Sequence, residues 1–336
     1  MAARAVIFGC AGTELADSER RFFAESDPWG FILFARNIEN PARLSRLTDD
    51  LRDSVGRDAP VLIDQEGGRV ARMRGPIWRE WAPAFDECER LPDRAARVSA
   101  MRLRYRLIAE ELRAVGIDVN CAPVLDVAGP GTHAILRNRC YGSDPAEVAA
   151  IGRAVAEALL DGGVVPVIKH MPGQGRAWLD SHEALPVVEA DLAALAEDFA
   201  PFADLADLPM AMTAHVVYRA LDPAGPATQS EAVIGMMRKR IGFDGLLLTD
   251  DLSMRALTGP FAERAARSVA AGCDVVLHCN GDAGEMAAVA EGAPRLEGRA
   301  AERADRALAA RGGRVEVDVA ALAAEYADLT GRVAHA

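Results

Sequence analysis

Lysine is almost absent from this 336-residue sequence. Only Lys169 and Lys239 occur, so 36 of the 38 basic residues, all but these two, are arginine. Codon usage in a GC-rich genome is the simplest explanation for the bulk of them. Acidic residues outnumber the basic ones at 50, and the resulting net charge of −12 argues against a general binder of nucleic acid or of anionic membranes.

Long hydrophobic runs and cysteine motifs are also missing. No stretch approaches the roughly 18 consecutive apolar residues of a membrane-spanning helix, and the opening MAARAVIFGC has no cleavage-site pattern, so we expect no signal peptide. The six cysteines form no CxxC pair, and several lie in apolar runs, where cysteine behaves as a small hydrophobe. These absences predict a protein of the reducing cytoplasm that binds neither membrane nor nucleic acid.

Half of the residues are hydrophobic, and short apolar runs alternate along the chain with longer segments of helical periodicity. Eight runs are apolar on both faces, as expected for parallel strands that are covered on both sides. These runs are residues 4–9, 30–35, 60–64, 118–122, 165–169, 210–214, 245–249 and 274–279.

Each of the eight runs is followed by a segment with the spacing of an amphipathic helix. Asn40-Pro41 and Asp144-Pro145 each place a capping residue before a first-turn proline, which marks the start of two of these helices. The segments lie near residues 14–26, 40–56, 94–116, 145–162, 190–206, 229–241, 260–271 and 282–290, with two more at about 296–311 and 318–330.

Eight strands that each precede a helix predict an α/β fold, a closed (β/α)8 barrel of the TIM type. We expect one catalytic domain over residues 1–336, with the barrel at about 4–290 and the helical segments of about 296–331 packed beside it. An open doubly wound sheet is the main alternative. The first strand is followed by GCAGTEL, which lacks the glycine-rich turn typical of that fold.

Ionisable residues follow five of the predicted strands, at the end where barrel enzymes carry out their chemistry. Charged groups are costly to bury without partners, so they either neutralise one another in a buried network or form a functional site. The whole set, flanked by long glycine-containing loops, favours a site. Its members are Asp64 to Arg69 after strand three, Asp126 after strand four, Lys169 and His170 at strand five, His215 after strand six, and Asp250 and Asp251 at strand seven.

The loop after strand five, residues 171–185, carries a candidate general acid/base. Its sequence MPGQGRAWLDSHEAL contains Asp180 and His182, and Gly173 and Gly175 would allow it to move. A hydrogen bond from Asp180 would fix the tautomer of the His182 ring and raise its basicity.

These motifs together resemble the bacterial cytoplasmic β-N-acetylglucosaminidases of glycoside hydrolase family 3, single-domain barrels that act in cell-wall recycling. KHMPGQGRAWLDSH is the most specific of the matching blocks. The blocks are GFILFARN (30–37), LIDQEGGRVARMRGP (62–76), NCAPVLDV (120–127), RNRCYGSDP (137–145), KHMPGQGRAWLDSH (169–182), MTAHVVY (212–218) and TDDLSM (249–254).

The resemblance implies an exo-acting, retaining enzyme that removes terminal N-acetylglucosamine from muropeptide fragments without a cofactor or a metal ion. Asp250 would be the nucleophile, and His182, paired with Asp180, would be the acid/base. This agrees with the chemistry, because an oxocarbenium-like transition state needs an ionised carboxylate below the sugar ring. The sugar would be bound by Asp64, Arg72, Arg139, Lys169 and His170, with His215 and Asp126 in support.

The sequence departs from the family pattern at Gln174, where many relatives have histidine, and at Met171, where phenylalanine is commoner. These differences concern substrate preference and the behaviour of the loop.

Three other functions stay open. A glycoside phosphorylase fits because a histidine acid/base does not repel phosphate as a carboxylate would. A metal-dependent barrel hydrolase is a second alternative, but that class usually has an HxH pair at strand one, where this chain has FGC. A non-catalytic sugar-binding barrel is the third, and it would not need Asp250, which is present.

Lys169 stands out against the scarcity of lysine. A compact ammonium on a flexible stem fits a crowded hydroxyl-binding site in which a planar guanidinium would not. The sequence therefore predicts a role for Lys169 that arginine could not fill, whereas Lys239 lies in an RKR run that suggests no function.

Overall fold

The structure, a computed structural model, describes residues 2–179 and 183–331. Eight parallel strands close into a barrel in which the first strand is hydrogen-bonded to the second and to the last. This confirms the predicted (β/α)8 fold. The barrel strands are β1 (Arg4–Gly9), β2 (Pro28–Leu33), β3 (Val61–Ile63), β4 (Val119–Asn120), β5 (Val165–Met171), β7 (Met210–Thr213), β9 (Leu246–Asp251) and β10 (Val275–His278).

Two short strands outside the barrel, β6 (Val187–Val188) and β8 (Val217–Tyr218), pair with each other in a separate parallel sheet. Neither was predicted, because both lie outside the eight apolar runs, whereas the equally short β4 lies within the run 118–122. Their pairing fixes the chain directly after the loop that contains Asp180 and His182. Those two residues lie outside the described part of the chain.

Helices follow the barrel strands at all eight predicted places. Asn40 and Asp144 cap their helices as expected, accepting hydrogen bonds from the backbone N–H groups of Arg43 and Ala146. The predicted helix at 229–241 is an α-helix that passes into a π-helical turn, Met237–Ile241. The α-helices are α1 (Asp17–Ser26), α2 (Pro41–Val55), α3 (Ala84–Arg90), α4 (Arg94–Ala114), α5 (Ala134–Arg137), α6 (Pro145–Asp161), α7 (Leu192–Asp204), α8 (Glu231–Met236), α9 (Phe261–Ala271), α10 (Ala283–Gly292), α11 (Gly298–Ala309) and α12 (Val319–Thr330).

The apolar runs form two concentric layers of the core. On β1, Val6 and Phe8 belong to the layer between sheet and helices, whereas Ile7 belongs to the barrel interior. Because both layers are buried, the strand residues that face the helices and those that face the barrel interior are both apolar. This is typical of parallel strands that are covered on both sides. Burying each such side chain contributes about 1.5–3 kcal/mol before the entropy cost of ordering it.

Helix α11 closes the amino-terminal end of the barrel, where the sequence only predicted packing at its side. Ala304 and Ala307 of this helix lie in the same buried cluster as Trp29 at the start of β2. Arg303 binds the carboxylate of Asp274, just before β10, at 3.0 Å. A ligand can therefore enter the barrel only from the opposite, carboxyl-terminal end.

The described helices contain no segment that is long and apolar enough to cross a membrane.

Candidate active site

A cavity of about 460 Å³ opens at the carboxyl-terminal end of the barrel, within the range of about 300–1,000 Å³ that is usual for small-molecule sites. All five predicted binding residues and the predicted nucleophile line it. Its polar lining consists of Asp64, Arg69, Arg72, His133, Arg139, Lys169, His170, Gln174, Glu183, Asp250 and Asp251.

Lys169 is the centre of an ion-pair cluster on one wall of this cavity. Its side chain is 1% exposed, and its Nζ lies 2.7 Å from Asp64 Oδ1 and 2.6 Å from Glu66 Oε1. Arg72 donates to the second oxygen of Asp64 at 3.0 Å. Arg139 binds both oxygens of Glu66, at 2.9 and 2.8 Å. Three cations and two carboxylates thus alternate in the cluster. All of them except Glu66 line the cavity, where they offer both donors and acceptors.

The cluster keeps both of its carboxylates ionised. Burial raises the pKa of Asp64, but the charges of Lys169 and Arg72 outweigh burial and hold it well below its usual value. In the same way Arg139 and Lys169 overcome burial and lower the pKa of Glu66 to about 2. Burial lowers the pKa of Lys169, and Asp64 and Glu66 raise it above its ordinary value. Such a wall suits a neutral polyhydroxylated ligand, whose hydroxyls both donate and accept.

Glu66 lies within the predicted set Asp64 to Arg69, but no binding role was predicted for it. It follows Asp64 by two positions, so the spacing that places alternate residues on one side of an extended chain could have indicated it. Its backbone carbonyl accepts a hydrogen bond from Arg104 at 2.6 Å. Gly67 permits this approach, because a Cβ there would lie 1.9 Å from the Arg104 guanidinium, and its φ is +92°.

Asp126, expected among the supporting residues, is hydrogen-bonded to His170. Its Oδ2 lies 2.7 Å from Nδ1 of His170, and Nε2 of the same ring lies 3.3 Å from an Arg139 nitrogen. Arginine can only donate, so Nε2 accepts and the ring carries its proton on Nδ1. Oδ1 of Asp126 also accepts the backbone N–H of Gln174 at 2.8 Å. One buried carboxylate therefore orients His170 and holds the start of the following loop.

The glycines of this loop allow close packing. A Cβ on Gly175 would lie 1.9 Å from the carbonyl oxygen of Val127, and one on Gly173 would lie 2.8 Å from that of Asp198. Arg176 binds Asp198 as well, through its Nε. The first part of the loop is thus held against its neighbours, and the movement expected of the loop stays a prediction.

Asp250 and Asp251 end β9 in different surroundings. Oδ1 of Asp250 accepts the N–H of Asp251 at 2.8 Å, and its side chain lines the cavity. Oδ1 of Asp251 accepts the N–H groups of Ser253 and Cys279, at 3.0 and 3.1 Å, and so fastens the end of β9 to the neighbouring strand. Both residues line the cavity, and the Asp251 carboxylate is the one that holds the strand end.

His215 lies beneath the end of β9 and supports it from within the barrel. Its Nε2 lies 3.1 Å from the carbonyl oxygen of Asp251, and its Nδ1 lies 2.7 Å from the hydroxyl of Thr228. Burial lowers the pKa of His215, so the ring is neutral and donates from Nε2. It fixes the backbone next to Asp250.

Within residues 2–179 and 183–331, no group of three or more histidine, cysteine, aspartate or glutamate side chains is arranged to hold a metal ion. The ring nitrogens of His170 and His215 are occupied by protein partners.

Known proteins resemble this chain over most of its length. The family model of the glycosyl hydrolase family 3 N-terminal domain matches residues 11–309. A β-hexosaminidase of Methylococcus capsulatus is 37% identical over 324 residues, covering 95% of this chain and 94% of that protein. Another, from Alkalilimnicola ehrlichii, is 38% identical over 281 residues, covering 82% of this chain and 80% of that protein.

Solved structures agree with these relatives. NagZ from Neisseria gonorrhoeae, in complex with N-trifluoroacetyl-D-glucosamine, superimposes with a TM-score of 0.87 at 30% identity and covers 98% of this chain and 99% of that one. A family 3 β-N-acetylglucosaminidase from Paenibacillus sp. has a TM-score of 0.84 at 27% identity, covering 97% of this chain and 67% of that one. The barrel, the acidic and basic cavity at its mouth and these matches establish that the chain is a glycoside hydrolase and belongs to family 3.

Proposed function

We propose that this enzyme is an exo-acting, retaining β-N-acetylglucosaminidase that removes terminal non-reducing N-acetylglucosamine, with muropeptide fragments of recycled peptidoglycan as its substrates. The observation that carries the proposal is the position of Asp250, which lines the same cavity as the cluster around Lys169. Relatives named β-hexosaminidase and a solved relative that binds an N-acylated glucosamine support the choice of sugar.

The cavity wall fits a single neutral sugar. Asp64 can accept from hydroxyl groups, whereas Lys169, Arg72 and Arg139 can donate to hydroxyl oxygens, and His170 completes the set. Nε of Arg72 is buried and has no hydrogen-bond partner in the described part of the chain, so a sugar oxygen can take that bond.

Two successive displacements at the anomeric carbon would give retention. An oxygen of Asp250 attacks this carbon while the bond to the aglycone oxygen breaks, and His182 gives that oxygen its proton. His182 then takes a proton from water, whose oxygen attacks the same carbon and releases Asp250. Asp180 would hold the His182 ring in the tautomer that this requires. The reaction needs only a carboxylate and a proton carrier, so the proposal includes neither a metal ion nor a cofactor.

The proposed compartment is the cytoplasm. All six cysteines are unpaired and buried, which is usual for a protein kept in reducing surroundings. Free cysteine behaves there as a small core residue.

Turnover of 4-nitrophenyl β-N-acetylglucosaminide, with and without phosphate, tests the proposed activity. We expect β-configured N-acetylglucosamine as the first product by proton NMR, at a rate that phosphate does not change. An α-configured first product would overturn retention. A sugar 1-phosphate would identify a phosphorylase, and turnover of only a different glycoside would overturn the choice of sugar.

Replacing His182 by alanine is expected to affect substrates according to their leaving group. For an aglycone alcohol that needs protonation, kcat/KM should fall by about 100-fold to 10,000-fold, the usual contribution of an acid catalyst. For a dinitrophenyl glycoside, which leaves without a proton, the loss in kcat/KM should be at least about tenfold smaller. Steady-state kinetics on both glycosides measure the difference, and equal losses would exclude the acid role.

A further inference from the structure

Arg69 differs from the other cations that line the cavity. Arg72, Arg139 and Lys169 are each ion-paired with Asp64 or Glu66, in the cluster described above. Arg69 is exposed, and no carboxylate of residues 2–179 or 183–331 lies within 4.0 Å of its guanidinium. It is therefore a cation at the cavity whose charge no described side chain neutralises.

The backbone that carries Arg69 is held in place. The N–H of Gly67 donates to the carbonyl of Val70 at 3.0 Å. The guanidinium of Arg74 donates to the carbonyls of Gly68 and Arg69, both at 2.9 Å. These bonds fix where the side chain begins while leaving its charged end open to solvent.

The sugar-binding wall does not need a further cation. A neutral N-acetylglucosamine finds its donors and acceptors in the Lys169 cluster, which lies deeper and is largely buried. The aglycone of an exo-acting enzyme points out of the cavity, towards the solvent-exposed residues of its lining. Arg69 is such a residue, and its neighbour Val70 also lines the cavity with Phe34 and Ile135, which offer apolar contact beside the charge.

We propose that Arg69 binds a carboxylate carried by the aglycone, and that the enzyme therefore prefers glycosides with an anionic aglycone. The inference rests on the proposed glycosidase activity. A chain of net charge −12 repels anions in general, so an anionic substrate needs a local cation at the entrance. Arginine is the side chain best suited to a carboxylate, since its planar guanidinium can donate two parallel hydrogen bonds to it.

A matched pair of substrates tests this preference. The 4-carboxyphenyl and 4-carbamoylphenyl β-N-acetylglucosaminides have similar shape and differ in one negative charge. We expect the wild-type enzyme to favour the carboxylate by about fivefold in kcat/KM, the upper end for a solvent-exposed ion pair. In Arg69→Gln the ratio should fall to about one, while kcat/KM for the carbamoyl substrate changes by less than about twofold. The wild-type preference should also shrink in 0.5 M salt, because salt screens exposed charges.

Arg255→Gln is the control, since Arg255 is exposed in the segment that follows β9 at the same end of the barrel but does not line the cavity. It should keep the wild-type ratio. Equal kcat/KM for both substrates in the wild type, or an unchanged ratio in Arg69→Gln, would overturn the inference. Acceleration by inorganic phosphate that disappears in Arg69→Gln would also overturn it, by making phosphate the anion. Turnover of neither glycoside would instead contradict the proposed activity itself.

Discussion

Replacing Asp250 by asparagine is expected to lower kcat/KM for 4-nitrophenyl β-N-acetylglucosaminide by at least about 1,000-fold, because loss of a nucleophile removes a whole covalent pathway. Asparagine has the same shape, and its side-chain oxygen can still accept the N–H of Asp251, which Asp250 now accepts at 2.8 Å. The change therefore removes the charge and the nucleophilic oxygen while keeping this local contact. Steady-state kinetics with the purified variant measure the loss.

Asp251→Asn is the matched control for this prediction. The two aspartates are adjacent, but the Asp251 carboxylate accepts hydrogen bonds from Ser253 and Cys279. Its oxygens hold the strand end in place, so we expect a loss of less than about tenfold. Similar losses in both variants, or a tenth of the activity left in Asp250→Asn, would contradict the assignment of Asp250 as nucleophile.

Replacing Lys169 by methionine is expected to lower kcat/KM at least about 100-fold and to destabilise the fold by about 1.5–3 kcal/mol, the usual contribution of hydrogen bonds to charged groups. Each carboxylate loses one cation and keeps the other, Arg72 for Asp64 and Arg139 for Glu66. Asp64 and Glu66 would face each other without the ammonium that lies 2.7 and 2.6 Å from them. Lys169→Arg keeps the charge, but the guanidinium is too large for a position that is 1% exposed. We expect this variant to raise KM at least about tenfold.

Stability measured against pH separates electrostatic from steric effects in these variants. The pKa of Glu66 is lowered from 4.5 to about 2 in the folded protein. Ion pairing therefore stabilises the fold above about pH 4.5, and this contribution is lost as the pH falls towards 2. The gap in unfolding free energy between wild type and Lys169→Met should be largest at pH 7 and smaller at pH 3.

Lys239→Met is the control for the lysine variants, because Lys239 is exposed on the π-helical turn. It should change neither stability nor activity measurably. Chemical denaturation at pH 7 and pH 3 gives the free energies. A gap for Lys169→Met that does not depend on pH would indicate a loss of packing and contradict the role of the ion pairs.

Much of this site could be predicted from one rule of barrel architecture. Polar residues at the ends of parallel strands must meet at one edge, and this rule alone brings together Asp64, Lys169 and Asp250. Along the chain, Lys169 lies 105 residues after Asp64 and 81 residues before Asp250. The structure confirms that all three line one cavity. The strands themselves were recognisable because burial on both sides leaves no polar alternation in their sequence.

What could not be predicted depends on contacts between distant segments. Glu66 is important because Arg139 and Lys169 reach it. The spacing from Asp64 indicates only its side of the chain, and the contacts with Arg139 and Lys169 depend on the fold. Position 175 needs a glycine because the carbonyl group of Val127 passes close to it. In a sequence, a glycine in a loop suggests conformational freedom instead. The position of α11 beneath the barrel likewise follows from its contacts, and its amphipathic pattern shows only that one face is buried.

The most direct test of the central claim is to find the sugar on Asp250. In His182→Ala, 4-nitrophenyl β-N-acetylglucosaminide should form the glycosyl-enzyme without needing an acid, and hydrolysis should be slow without a base. Trypsin releases residues 241–255 as one peptide, which contains Asp250. Mass spectrometry should show that this peptide gains one N-acetylglucosaminyl group, and that the gain vanishes when Asp250→Asn is added. An adduct on another peptide, or no adduct together with an α-configured product, would contradict the account.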